Sequence, residues 1–187
     1  MQRVRVDANK ILGEKTLENA KRAKFFANCQ TVEEVKQLYK GLALSWHPDR
    51  GGNTAAMQEV NAQYTKRLQE LNGTVSKDDQ GNDHTYRYNE EREQALIDKI
   101  AEVIASGILS DTVEFYLVGA WLWIIGETKP VKDQLGKSGL GFMWHQKRVA
   151  WYWHTPDYKS GYAKNKDFAG LAEKYGATRL RGKDEEK

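Results

Sequence analysis

The sequence predicts an α+β protein: a helical N-terminal part built on an antiparallel helix hairpin, followed by a small mixed α/β C-terminal module. Three observations carry this. Apolar residues recur at helical spacing, first as Val35, Leu38, Tyr39, Leu42, Ala43 and Trp46, then as Met57, Val60, Tyr64, Leu68 and Leu71. Beyond Gly107 the period changes to two, with Val113, Phe115 and Leu117 alternating with Glu114, Tyr116 and Val118. Five of the six tryptophans fall between Trp121 and Trp153, which marks a second module. A chain of 187 residues has room for one large or two small domains.

Residues 1–15 are basic and weakly patterned, and read as an arm or an edge strand. A first helix starts at Thr16, leads into Phe25 and Phe26, and is expected to end by Gln30. Thr31 with Glu34 three residues on forms a capping box for a second helix, Val32 to Trp46, which Pro48 stops. Arg50-Gly51-Gly52-Asn53 is a loop, Thr54 is read as the cap of a third helix, and Asn72-Gly73 ends that helix. Residues 74–89 are polar and turn-rich and read as a linker. Asn89 caps an amphipathic helix, 90–107, with Leu96, Ile100, Val103 and Ile104 on one face. In the module at 108–158 the strand signal runs from Val113 past Gly119 to Ile125. Thr128 to Lys137 then suits a short helix, and Phe142–Trp144 with Arg148–His154 suits a hairpin. A charged tail, 159–187, includes a helical stretch from Asp167 to Tyr175.

Composition narrows the function classes. The net charge of +3 permits contact with nucleic acid or acidic surfaces without demanding it. Cys29 is the single cysteine, so no internal disulfide and no cysteine-paired zinc site can form, and a reducing cytoplasm is the simplest setting. The N-terminal residues lack the apolar run of a secretory signal, and Val113–Ile125 is too short and interrupted to span a membrane. His145 and His154 lack a third ligand, so no metal is expected. Neither a Gly-rich phosphate loop nor a nucleophile elbow occurs. No cofactor, catalytic residue or enzymatic activity is expected.

The string from Leu38 to Tyr64, LYKGLALSWHPDRGGNTAAMQEVNAQY, carries the strongest functional signal. Two helices of similar length joined by a short loop favour an antiparallel pair. Pro48 restricts the loop, and His47 and Asp49 read as polar groups projecting from it with little structural duty. A plainer reading makes His-Pro-Asp a helix-ending turn in which Asp49 accepts backbone N–H bonds. The segment resembles the J-domain, the family of co-chaperones of DnaK-type heat-shock ATPases. His47-Pro48-Asp49 match its signature tripeptide. Tyr39, Leu42, Ala43 and Trp46 match its second helix, and Met57, Val60, Asn61 and Tyr64 its third. The resemblance implies a J-domain over 16–73 that docks on a DnaK-type ATPase through His47, Pro48 and Asp49. Lys36, Tyr39, Lys40 and Arg50 are the further contact residues it implies. Gly41 and Ser45 stand where the family commonly has Lys or Arg, and Phe25-Phe26 where paired tyrosines are usual.

Residues 113–158 are similar to the C-terminal part of short J-domain proteins commonly encoded by phages and mobile elements. Gly119, Trp121, Trp123, Gly126, Thr128, Lys129, Leu135, Phe142, Trp144, Lys147, Trp151 and Tyr152 are among the matching positions. That likeness supplies no activity for the module. Its aromatics with interleaved basic residues (Trp121, Trp123, Lys129, Lys132, Lys147, Arg148 and Trp151) form a candidate surface for single-stranded nucleic acid or a client protein. About half the tryptophans are expected to be core, because so small a module needs large side chains to bury enough area. The residues leave open a co-chaperone, a nucleic-acid-binding protein of a phage or mobile element with the helix pair as scaffold, and a decoy that diverts a host chaperone.

Overall fold

A computed structural model of the chain describes residues 15–77, 83–155 and 178–180. It is mixed α and β, with helices and two antiparallel sheets, and it divides into two compact units after Glu70. The arm at 1–14, the helical stretch at 167–175 and most of the tail lie outside the described residues.

The first unit holds α1 (Leu17–Ala23), α2 (Val32–Trp46) and α3 (Thr54–Glu70). The capping box of α2 is formed: the Glu34 N–H donates to Thr31 Oγ1 at 3.2 Å, and Glu34 Oε2 accepts from the Thr31 N–H at 3.2 Å. Two boundaries differ from the sequence reading. α1 stops at Ala23, because Lys24 turns left-handed (φ 41°) and the Gln63 amide takes over the helix end. Gln63 Nε2 donates to the Ala20 carbonyl at 2.9 Å, and its Oε1 accepts from the Phe25 N–H at 3.0 Å. At the start of α3, Asn53 serves as the cap in place of Thr54, its Oδ1 accepting from the Ala56 N–H at 3.0 Å.

α3 runs back along α2. Arg67 near its C-terminal end donates through Nε and Nη2 to the Cys29 carbonyl, just ahead of α2, at 3.0 and 2.6 Å. Midway, the Tyr39 and Tyr64 rings lie 4.1 Å apart, and the Tyr39 hydroxyl donates to Asn61 Oδ1 at 3.0 Å. Phe26 closes on Tyr64 and Phe25 on the buried Trp46, both edge to face. Cys29 is buried, and burial, with Glu34 nearby, pushes its thiol pKa up. That keeps it protonated and unreactive.

The second unit opens with a short antiparallel ladder inside the stretch expected as a linker, β1 (Val75–Lys77) against β2 (Asp83–Thr85). Its residues are exposed on both faces, so no alternating apolar pattern announces it. α4 (Glu90–Ala105) is capped by Asn89 as read, and buries Leu96, Ile97, Ile100, Val103 and Ile104. β3 (Val113–Val118) and β4 (Trp121–Gly126) form a hairpin whose turn uses Gly119 at φ 62°, so the long strand signal is two strands. A 3-10 turn (Lys129–Val131) and α5 (Lys132–Leu135) follow, then β5 (Met143–His145) and β6 (Ala150–His154) as the expected hairpin. β7 (Thr178–Leu180), within the stretch expected as tail, pairs with β3. The sheet order is β5-β6-β4-β3-β7, antiparallel throughout.

Candidate functional sites

Pro48, at the end of α2, cannot donate a backbone bond to continue the helix, and the chain makes one 3-10 turn, Pro48–Arg50. The Arg50 and Gly52 amides both donate to the His47 carbonyl, at 2.9 and 3.0 Å. Gly52 lies so close to the Trp46 carbonyl that a Cβ there would collide with it. The turn is therefore fixed by backbone bonds and by the absence of a side chain at 52.

His47 does not project as the sequence reading expected. Its side chain is only 11% exposed, and its Nδ1 accepts from the Asp49 N–H at 3.3 Å, capping the turn. An Nδ1 that accepts carries no proton, so in this state its 3.8 Å approach to Asp49 Oδ2 is not an ion pair. The plainer reading, with Asp49 accepting backbone N–H bonds, is reversed: His47 is the acceptor. The Asp49 side chain is 54% exposed, a carboxylate held at the tip of a rigid turn. Pro48 is exposed beside it and Arg50 half-buried.

The other residues implied as contacts on α2 lie inward. Tyr39 is buried, and its hydroxyl is committed to Asn61. Lys36 and Lys40 are buried too, and burial, with Lys36 close by, pulls the Lys40 ammonium down to about 7. The exposed positions of α2 are Glu33, Glu34 and Gln37. The resemblance implied the two lysines as contact residues on a basic helix face, but in this chain the packing of α2 covers them.

The tryptophans divide between the two faces of the five-stranded sheet. In an antiparallel sheet, directly opposed residues share a face. The register opposes Tyr116, Trp123, Tyr152 and Met143 in one row, and Val118, Trp121 and His154 in the next. Phe115, Ile124, Trp151 and Trp144 form a row on the other face. α4 belongs to that second face, where the Lys99 ammonium lies 5.5 Å from the Trp153 ring. Trp151 donates through Nε1 to Thr128 Oγ1 at 3.1 Å and meets Trp144 edge to face. So Trp121, Trp123 and Arg148 come together, while Trp151 is on the opposite side.

On the first face the rings form a continuous cluster. Trp121 stacks on Trp123 at 5.9 Å and lies 4.6 Å from His154, and Tyr152 lies 5.5 Å from Trp123. Trp123 is 3% exposed, whereas Tyr116, Trp121, Tyr152 and His154 are half-buried. The Arg148 guanidinium sits 5.3 Å over the Trp123 ring, a cation–π arrangement. Burial, and after it the charge of Arg148, lower the pKa of His145, with Lys147 adding to the effect. Tyr116 donates its hydroxyl to Glu114. Lys129, Lys132 and Lys147 are exposed in the turns and α5. The contact surface expected from the sequence does not include Tyr116, Tyr152, His145 or His154; the two histidines enter there only as a metal pair lacking a third ligand. The period-two alternation through Tyr152 was the available signal. The expected surface also omits Trp144, the most exposed tryptophan at 45%.

Among the described residues, no group of three or more His, Cys, Asp or Glu side chains is placed to hold a metal, and no helix is long and apolar enough to cross a membrane. Comparison of the chain with protein-family models, curated proteins and solved structures finds no match.

Proposed function

We propose that this chain is a J-domain co-chaperone that docks on the ATP-bound state of a DnaK-type heat-shock ATPase and favours hydrolysis, itself hydrolysing nothing. The observation that carries the reading is the pairing of an exposed Asp49 carboxylate with a His47 turned inward to cap the same turn. A charge intended for a partner is useful when it is exposed and its geometry is already fixed, since little ordering entropy then opposes binding. The His-Pro-Asp string, the two helices flanking it and the loop glycines all serve that one display.

With Lys36 and Lys40 buried, docking depends on Asp49, Arg50 and the shape of the turn, with little steering by a basic helix face. The second unit would bring the cargo.

A single-turnover ATPase assay with a DnaK-type chaperone tests this. The wild-type chain should accelerate hydrolysis, with only modest loss from low to physiological salt, because few exposed charges take part. Asp49→Asn should abolish the acceleration while the circular dichroism spectrum stays unchanged. Stimulation by Asp49→Asn equal to wild type would overturn the proposal.

A further inference from the structure

The aromatic face of the five-stranded sheet has no role in the proposed chaperone docking. We infer that this face, built on Trp121, Tyr152, His154 and Arg148, binds single-stranded nucleic acid by stacking bases on its rings and holding phosphate with its basic rim.

Four observations point to that occupant. Half-exposed aromatic side chains from β3, β4 and β6 share one face by register, so the platform is held by backbone pairing and does not depend on a loop. Buried Trp123 packs against Trp121, Tyr152 and Arg148, which braces those side chains against one another. Arg148 and the exposed Lys147 stand together at the β5–β6 turn beside His145, and place two cations at the edge of the rings. Finally, residues 113–187 hold thirteen Lys/Arg against nine Asp/Glu, a difference of +4.

Stacking on π-faces with phosphate attraction at the edge is how proteins hold single strands without reading sequence. A duplex hides its bases and offers nothing to the rings. Glu114, bonded to Tyr116, is the one carboxylate among the residues named on this face, and it confines phosphate to the Arg148 side. An apolar protein client would meet the same rings, but the positive rim gives it no advantage.

The test is fluorescence anisotropy of a labelled oligothymidylate of about 16 nucleotides titrated with the full-length chain. Binding should be clear at about 50 mM salt and fall steeply by about 200 mM. Trp121→Ala should weaken it about tenfold. Arg148→Gln, which leaves the ring cluster in place, should weaken it and reduce the slope of log affinity against log salt by about 0.7. Trp144→Ala, on the other face, should change nothing.

No binding at low salt overturns the inference. So does equal affinity for the duplex, or a Trp144→Ala defect with Arg148→Gln behaving as wild type. Trp121-dependent binding of reduced, alkylated lactalbumin without oligonucleotide binding would reassign the face to protein clients and also overturn it. The two readings fail separately: Asp49→Asn should bind oligonucleotide normally, and Arg148→Gln should stimulate the ATPase normally.

Discussion

Replacing Lys40 by Met should stabilise the helical unit, and the gain should depend on pH in a defined direction. Lys40 is 2% exposed, and its ammonium titrates near 7 because burial, and then the neighbouring Lys36, disfavour the charge. In the unfolded chain a lysine titrates near about 10.4. As pH falls below that value the unfolded chain takes up the proton first, so stability drops from about pH 10.4 to about pH 7 and is level below. At pH 7 the cost is about 4 kcal/mol as a ceiling, and at pH 9 about 2 kcal/mol. Met keeps most of the apolar stem and removes the ammonium, so Lys40→Met should gain up to that amount at pH 7 and roughly half at pH 9. Hydrogen exchange of the α2 and α3 amides in the full chain, wild type against variant at each pH, measures the difference. A destabilised variant at pH 7 would mean that the contacts of the ammonium outweigh its burial. A gain that does not shrink toward pH 9 would mean that charge is not its cause. Either result refutes the reasoning. ATPase stimulation should survive the substitution, since a buried lysine is not the group that meets the partner.

Trp46→Ala removes the largest fully buried side chain, which closes on Phe25 at 5.4 Å. It should cost about 3–5 kcal/mol, seen as lost amide protection in α2 and α3; wild-type protection would place Trp46 outside the core. Gly126→Ala puts a Cβ into the Thr112 carbonyl oxygen at φ 96°. It should lower stability of the second unit by at least about 2 kcal/mol, read from tryptophan fluorescence in urea; an unchanged midpoint would show that the β3–β4 end can relax.

What was legible in the sequence was whatever depends on near neighbours. The capping box of Thr31 and Glu34 and the Asn89 cap are local bonds within three residues, and both form. The helical stripe of α3 and the alternation of β3 as far as Leu117 name most of their buried positions, whereas α2 also buries Lys36 and Lys40 outside its apolar stripe and leaves Leu38 half-buried. What was hidden depends on residues far away in sequence. Gln63 ends α1 across more than forty positions, and no local signal at Lys24 announces it. β7 is three residues of a polar stretch that become a strand only because the β3 edge is there to pair with.

The candidate sites show the same division. The His47-Pro48-Asp49 turn could be placed from sequence because Pro48 forces it, yet the roles of its two polar residues could not. Which of them turns inward depends on Nδ1 of His47 being within reach of the Asp49 N–H once the helix has ended. The tryptophans pose the sharper problem. A period of two says that Trp121 and Trp123 share a face, and so do Trp151 and Trp153, but leaves open whether the two pairs face the same way. Register decides, and one residue of slip would exchange every side chain of β6 between faces. Here Trp121 opposes His154 and Trp123 opposes Tyr152. Trp151 and Trp153 thereby go to the α4 side, where Thr128 and Lys99 engage them. The face that results mixes Trp, Tyr, His and Arg, where the sequence groups Trp121, Trp123 and Trp151 with the basic residues between them. Mixed rings with a cation above one of them suit stacking and phosphate attraction at adjacent points, which an all-tryptophan face would not provide.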